Sequence, residues 1–140
     1  MVSRYVLDTD TITLYRQSHP AVSRRVASCP PDDLAVTVIS AEEQLTGWYA
    51  MLRQVVRRDE LAIAYQGLAD TTSFLGRFTI LPFPVPAIVQ YEGLKAMRLN
   101  VGPMDLRIAA IALEAGCTVV TRNTRDFGRI PGLVVEDWSL

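Results

Sequence analysis

Two carboxylates stand one residue apart in YVLDTDTIT, residues 5–13, where a short apolar run gives way to a stretch able to start a helix. Helix capping explains one acid there, because a carboxylate accepts from the unpaired N–H groups of a first turn. Asp8 and Asp10 together ask for a second reason. Further acids recur in comparable places. Glu42 and Glu43 follow the apolar run LAVTVI, Asp105 opens the helical pattern MDLRIAAIALEAG, and Asp126 follows CTVVT in a loop that also holds Asn123. In open α/β sheets the carboxyl ends of the strands face one crevice, so groups roughly a hundred residues apart can meet there.

Each acid also has a local explanation. Asp10 can cap a helix, Ser40 and Glu43 have capping-box spacing, Asp105 favours a helix dipole, and Asp126 can close an Asx turn. As a set they are harder to place. Clustered carboxylates repel and take up protons unless a cation stands among them. Oxygen-only ligands suit Mg²⁺ or Mn²⁺ rather than zinc. Glu42 and Glu43 point about 100° apart on a helix, so one of them faces the crevice. The apolar stripe from Leu45 to Trp48 leaves open which. His19 is the single histidine and reads as part of an exposed helix connection, which excludes a catalytic histidine pair. No GxSxG elbow or P-loop is present, and GRIPG is too short and isolated for a phosphate loop.

The elements that must position these acids follow from period and punctuation. YVL, LAVTVI, FTILPF, CTVVT and part of LVVEDW read as strands. Helices are expected from TITLYRQ, after Pro20, from Ser40, from about Leu61 to Leu75, from Pro86 and from Pro103 to Gly116. The two helices of residues 40–75 have no strand between them and form a helical hairpin. RNTRDFGRIPG reads as an irregular loop. Strands alternating with helices imply a mainly parallel sheet of four to five strands, covered on both faces.

The 140 residues, 49% of them hydrophobic, fit one domain over residues 1–140. A net charge of -1 gives no bulk attraction to nucleic acid, although Lys95 is the only lysine among 14 basic residues. Arginine forks match phosphate geometry. The two cysteines form no disulfide framework, and Cys117, opening CTVV, reads as a buried thiol. No signal-peptide core or membrane-length apolar run is evident, so the expectation is a cytoplasmic protein without a membrane partner.

LDTD at a strand end, EEQLTG opening a helix, MDLRIAAIAL on a late helix and TRNTRDFGRIPGL near the C-terminus together resemble PIN-domain ribonucleases, in particular VapC-type toxins of bacterial toxin–antitoxin pairs. The motifs stand in the family's order and span residues 5–138. The resemblance implies a PIN-like three-layer α/β/α sandwich and a Mg²⁺-dependent ribonuclease, with Mn²⁺ as substitute. It implies Asp8, Glu43, Asp105 and Asp126 as the catalytic, metal-binding acids. Glu43 rather than Glu42 is chosen because Gly47 stands four residues after it. Asp8 and Asp105 are expected to bind the ion most directly, and Glu43 and Asp126 largely through water. Asn123 stands where many PIN domains have Asp. Asp10, at a position the family fills with Asp or Asn, is expected to orient Asp8 or a metal-bound water. Arg122, Arg125 and Arg129 flank the fourth motif and are candidates to hold the RNA backbone. The family also implies a homodimer and a cognate antitoxin, for which the hairpin with Trp48, Tyr49 and Met51 is the candidate groove.

Two alternatives stand beside this reading. One is a catalytically silent PIN fold that binds RNA or protein, to which Asn123 points. The other is a haloacid dehalogenase-type phosphatase, whose opening DxDx[TV] resembles DTDTI. Ile12 fills the fifth position of that motif, and no acidic pair follows Lys95.

Overall fold

A five-stranded sheet in the order β3-β2-β1-β4-β5 forms the centre of the computed structural model, which describes residues 3–140. The strands are β1 (Tyr5–Leu7), β2 (Leu34–Thr37), β3 (Thr79–Leu81), β4 (Thr118–Val120) and β5 (Val135–Glu136). Every neighbouring pair is parallel. Between the strands run α1 (Thr9–Arg16), α2 (Pro20–Ser28), α3 (Val38–Gln54), α4 (Arg58–Leu75), α5 (Val85–Ala96), α6 (Pro103–Ala115) and α7 (Thr124–Phe127).

Side chains alternate across the sheet and divide the core in two. Val6, Ala35 and Val119 face α5 and α6, where Leu106, Ile108, Ala109 and Ala112 are buried. The next residue in each strand, Leu7, Val36 and Val120, faces the opposite layer, built from Ile12, Leu14, Val22, Val26, Phe74 and Trp138. Burial on both faces explains why β1, β2 and β4 read as continuous apolar runs rather than alternating ones. The result is the expected three-layer α/β/α sandwich. Among the described residues, no helix is long and apolar enough to cross a membrane.

Several local expectations are corrected. The second strand ends at Thr37, and Val38 and Ile39 already belong to α3. Their β-branched side chains suggest strand, but Thr37 caps the helix by accepting from the Ser40 amide at 3.2 Å. Ser40 therefore opens no capping box with Glu43; both side chains are turned to Thr9 instead. Asp10 is not the cap of α1. Asp8 is, accepting from the Thr11 amide at 2.8 Å. His19 is half-buried and caps α2 through Nδ1, which accepts from the Val22 amide. The loop after β4 carries one short helix, α7, anchored by the fully buried Phe127.

Pro103 starts α6, and Gly116 ends it in the left-handed region at φ 70°, as the punctuation indicates. In the hairpin, Trp48 lies against Gly67 so closely that any added side chain would meet its ring. The Trp48 Nε1 donates to Thr71 Oγ1 at 2.9 Å. Trp48 is thus a hairpin-packing residue, while Tyr49 and Met51 are exposed.

Candidate active site

The chain runs from β1 outward to β2 and β3, then returns to place β4 on the other side of β1. Such a reversal opens a crevice at the carboxyl ends of the two strands that part company. Here those strands are β1, followed by Asp8, and β4, followed by Thr121 and Arg122. The helices α1 and α3 leave the sheet at this edge. Helix α6, running back against the strands toward β4, brings its first turn and Asp105 to the same edge.

A cavity of about 420 Å³ lies there, lined by Asp8, Thr9, Asp10, Glu43, Asp105, Arg122 and Asn123. Four carboxylates thus face one guanidinium. Asp8 is 4% exposed and fixed at the base. The Thr11 backbone holds its Oδ1, while the Thr11 hydroxyl donates to the Val120 carbonyl at 3.0 Å, tying α1 to β4. Glu43 lies on the wall and Glu42 is exposed outside it. The Thr9 hydroxyl donates to Glu43 Oε1 at 2.7 Å. Its single hydrogen is then used, so the 2.9 Å contact with Ser40 Oγ has Ser40 as donor.

Asp126 is not on the wall. Asn123 Nδ2 donates to one of its oxygens at 3.0 Å, and Arg129 Nη1 donates to the other at 3.2 Å. Arg129 also donates to the Asn100 carbonyl at 3.0 Å. Asn123 takes the wall position, and its Oδ1 caps α7 through the Asp126 amide. Arg122 is paired with Asp10 through two bonds, Nε to Oδ2 and Nη2 to Oδ1, both 2.8 Å. Arg125 is exposed.

The electrostatics record the crowding. Burial pushes the Asp8 carboxyl above its ordinary range; hydrogen bonds from Thr121 and Thr11 pull against that, and the Asp10 charge adds to it. Asp105 is pushed up to about 6, first by burial and then by the charges of Asp8, Glu43 and Asp126. The Arg122 guanidinium is held in its charged form by Asp10.

The donor set suits a hard divalent cation: all the acids offer oxygen, and like charge accumulates faster than Arg122 neutralises it. Among the described residues, no three acidic, histidine or cysteine side chains are assembled to hold an ion unaided.

Thr9, Thr11 and Thr121 carry no mark in the sequence as site residues, and Ser40 reads there only as a capping-box partner of Glu43. A hydroxyl has no charge pattern to betray it, and only the run DTDTIT, with hydroxyls between the acids, hints at the first two.

The chain matches the PIN domain family over residues 5–133. It is 27% identical over 139 residues to the tRNA(fMet)-specific endonuclease VapC of Salmonella typhimurium, covering 96% of this chain and 98% of that protein. It is 36% identical over 70 residues to Ribonuclease VapC2 of Rickettsia felis, covering 47% of this chain and 52% of that one. Among solved structures, DNA-bound VapBC from Salmonella typhimurium aligns with a TM-score of 0.80 and 26% identity, covering 97% of this chain and 98% of that chain. VapBC2 from Rickettsia felis, bound to a promoter DNA fragment, aligns with a TM-score of 0.75 and 25% identity over 96% and 98% of the two chains.

Proposed function

The chain belongs to the PIN domain family, and from that premise we propose that it is a Mg²⁺-dependent ribonuclease, the toxin of a toxin–antitoxin pair. The observation that carries the reading is the convergence of Asp8 from the cap of α1, Glu43 from the second turn of α3 and Asp105 from the first turn of α6 on one cavity at the β1–β4 crevice. An anionic phosphodiester is repelled by such a wall unless a cation bridges the two.

Asp8 and Asp105 would hold the ion directly. When bound, it supplies Lewis acidity toward the phosphoryl oxygens and lowers the pKa of water. Glu43, oriented by the Thr9 hydroxyl, accepts a proton from the attacking water. Asn123, on the cavity wall, offers an N–H donor to the phosphate. Asp126 acts at one remove, through its charge and its bond to Asn123. The water oxygen bonds to phosphorus, the bond from phosphorus to the 3′-oxygen breaks, and a proton ends on that oxygen. The products carry 5′-phosphate and 3′-hydroxyl ends. Transfer RNA is the first substrate to try, because one relative is named for it. End-labelling of the fragments checks this chemistry, and 2′,3′-cyclic phosphate ends would overturn it.

Arg125 is exposed beside the site, free of the carboxylates that engage Arg122 and Arg129. Arg125→Ala is expected to weaken RNA binding and to flatten its salt dependence by about one unit of slope. An unchanged slope in a binding titration would remove it from the interface.

A cytoplasmic location accords with an RNA target. The exposed Tyr49, Met51, Ile63 and Tyr65 of the hairpin support an antitoxin docking there. The exposed Val85 and Val89 of α5, with Met97 just after it, suit a homodimer contact. Sedimentation of the antitoxin-free chain at the mass of one protomer would remove the dimer.

A further inference from the structure

The ion pair between Asp10 and Arg122 is the one feature of the cavity that metal binding does not explain. It joins the first turn of α1 to the second residue after β4, 112 positions apart in sequence, across the β1–β4 crevice. Among the described residues, Arg122 is the only cation on the wall. Its guanidinium meets Asp10 through the Nε–Nη2 edge, at 2.8 Å for each bond. A guanidinium carries five N–H donors. One Nη1 hydrogen and the second Nη2 hydrogen form the adjacent, end-on edge, and among the described residues Arg122 has no other hydrogen-bond partner. That edge has the fork geometry of a bidentate phosphate contact. Asp10 has both of its carboxylate oxygens on Arg122.

We infer that Arg122 is a phosphate-gripping residue for the RNA backbone beside the scissile bond, and that Asp10 is its positioning residue rather than a support for the metal. The Asp10 carboxylate fixes the plane of the guanidinium and leaves the Nη1–Nη2 edge for a phosphodiester. This rests on the ribonuclease reading and assigns a substrate contact within it. An ordinary exposed ion pair would be worth little to the fold; this one is placed where a polyanion must pass.

The test uses the full chain, a defined RNA and Mn²⁺ titrations on wild type, Asp10→Asn, Arg122→Gln, Arg122→Lys and the Asp10→Asn/Arg122→Gln double variant. Arg122→Gln is expected to raise KM about tenfold with kcat nearly unchanged, and to make the salt slope of RNA binding shallower by about one. Arg122→Lys should restore the slope but not the KM, because it keeps the charge and loses the fork. Asp10→Asn should raise KM by less, and should add nothing in the Arg122→Gln background. The Mn²⁺ concentration for half-maximal activity should stay at the wild-type value in all variants.

A shifted Mn²⁺ requirement in Asp10→Asn, or an Asp10→Asn effect that persists in full without Arg122, would overturn the assignment. Kinetics and slopes identical to wild type would reduce the pair to a surface contact. The slope is read from binding alone. If wild type binds RNA but cleaves none, the ribonuclease reading fails, and a shallower slope in Arg122→Gln still supports the phosphate grip.

Discussion

Asp105→Asn is expected to lower metal-dependent RNA cleavage by about a hundred- to a thousandfold and, in the same protein, to raise the melting temperature of the metal-free chain at pH 7. The two effects have one cause. Asp105 opens α6 against Asp8, Glu43 and Asp126, and its carboxyl is raised from 3.8 to about 6. In the unfolded chain it loses its proton near pH 4; in the folded chain it keeps it until about pH 6. The folded state therefore holds a proton that the unfolded state has released, and stability falls as pH rises through that window. With screening of a half-buried group allowed for, the loss is about 1–2 kcal/mol. Asparagine keeps the shape without the charge, so the Asp105 share of that fall should disappear. A divalent cation competes with the proton at Asp105. Mn²⁺ should thus raise the melting temperature of wild type more at pH 7 than at pH 5, and should do little for Asp105→Asn. Thermal melts at the two pH values, beside a cleavage assay, check both halves. A variant that cleaves like wild type, or that melts lower than wild type at pH 7 without metal, would contradict the account.

Trp138→Ala should cost about 3–5 kcal/mol, a large share of a domain's stability. Trp138 is 1% exposed although it is the third residue from the C-terminus. Its ring meets Tyr5 edge-on with centroids 5.0 Å apart, and the Arg25 guanidinium lies 4.9 Å from the ring centroid. Its Nε1 donates to Glu136 Oε1 at 3.0 Å, the same oxygen that accepts from Arg25 Nη2 at 3.0 Å. The ring therefore ties β5 to α2 and to β1. Removing it leaves a cavity and loosens β5, whose Glu136 carbonyl accepts from the Thr121 amide just before Arg122. Urea unfolding measures the loss, and Trp138→Phe should recover a good part of it. A change below about 1 kcal/mol in Trp138→Ala would mean that the site can collapse around the smaller residue.

Much of this was legible from the sequence because short buried strands leave a plain signal. YVL, LAVT and TVV are buried on both faces, and an acid follows each: at once after YVL, on the helix after LAVT and in the loop after TVV. Pro20, Pro103 and Gly116 punctuate the helices where the structure starts and ends them. That the acids share a crevice follows from strand ends in a parallel sheet. Which groups pair within the crevice does not. Asp10 meets Arg122 only because β4 lies beside β1, and the sequence does not order the strands. Val38 and Ile39 read as strand because their side chains are β-branched, yet Thr37 stops the strand by capping α3. Ser40 and Glu43 have the spacing of a capping box, but a tertiary partner, Thr9, takes both. Four residues of α7 are too few to show a helical period, and their helix rests on the Asn123 cap and on Phe127 beneath.

The central claim is that the carboxylates at the β1–β4 crevice act with a divalent ion on RNA. The most direct test is cleavage of transfer RNA, and then of total RNA, by the purified partner-free chain. Mg²⁺, Mn²⁺ and chelator arms are run beside Asp8→Asn, which keeps an oxygen to cap α1. The expected result is cleavage that needs the ion, vanishes with chelator and is lost in Asp8→Asn while the variant still unfolds cooperatively. Cleavage that survives the chelator, or that Asp8→Asn performs as wild type does, would contradict it.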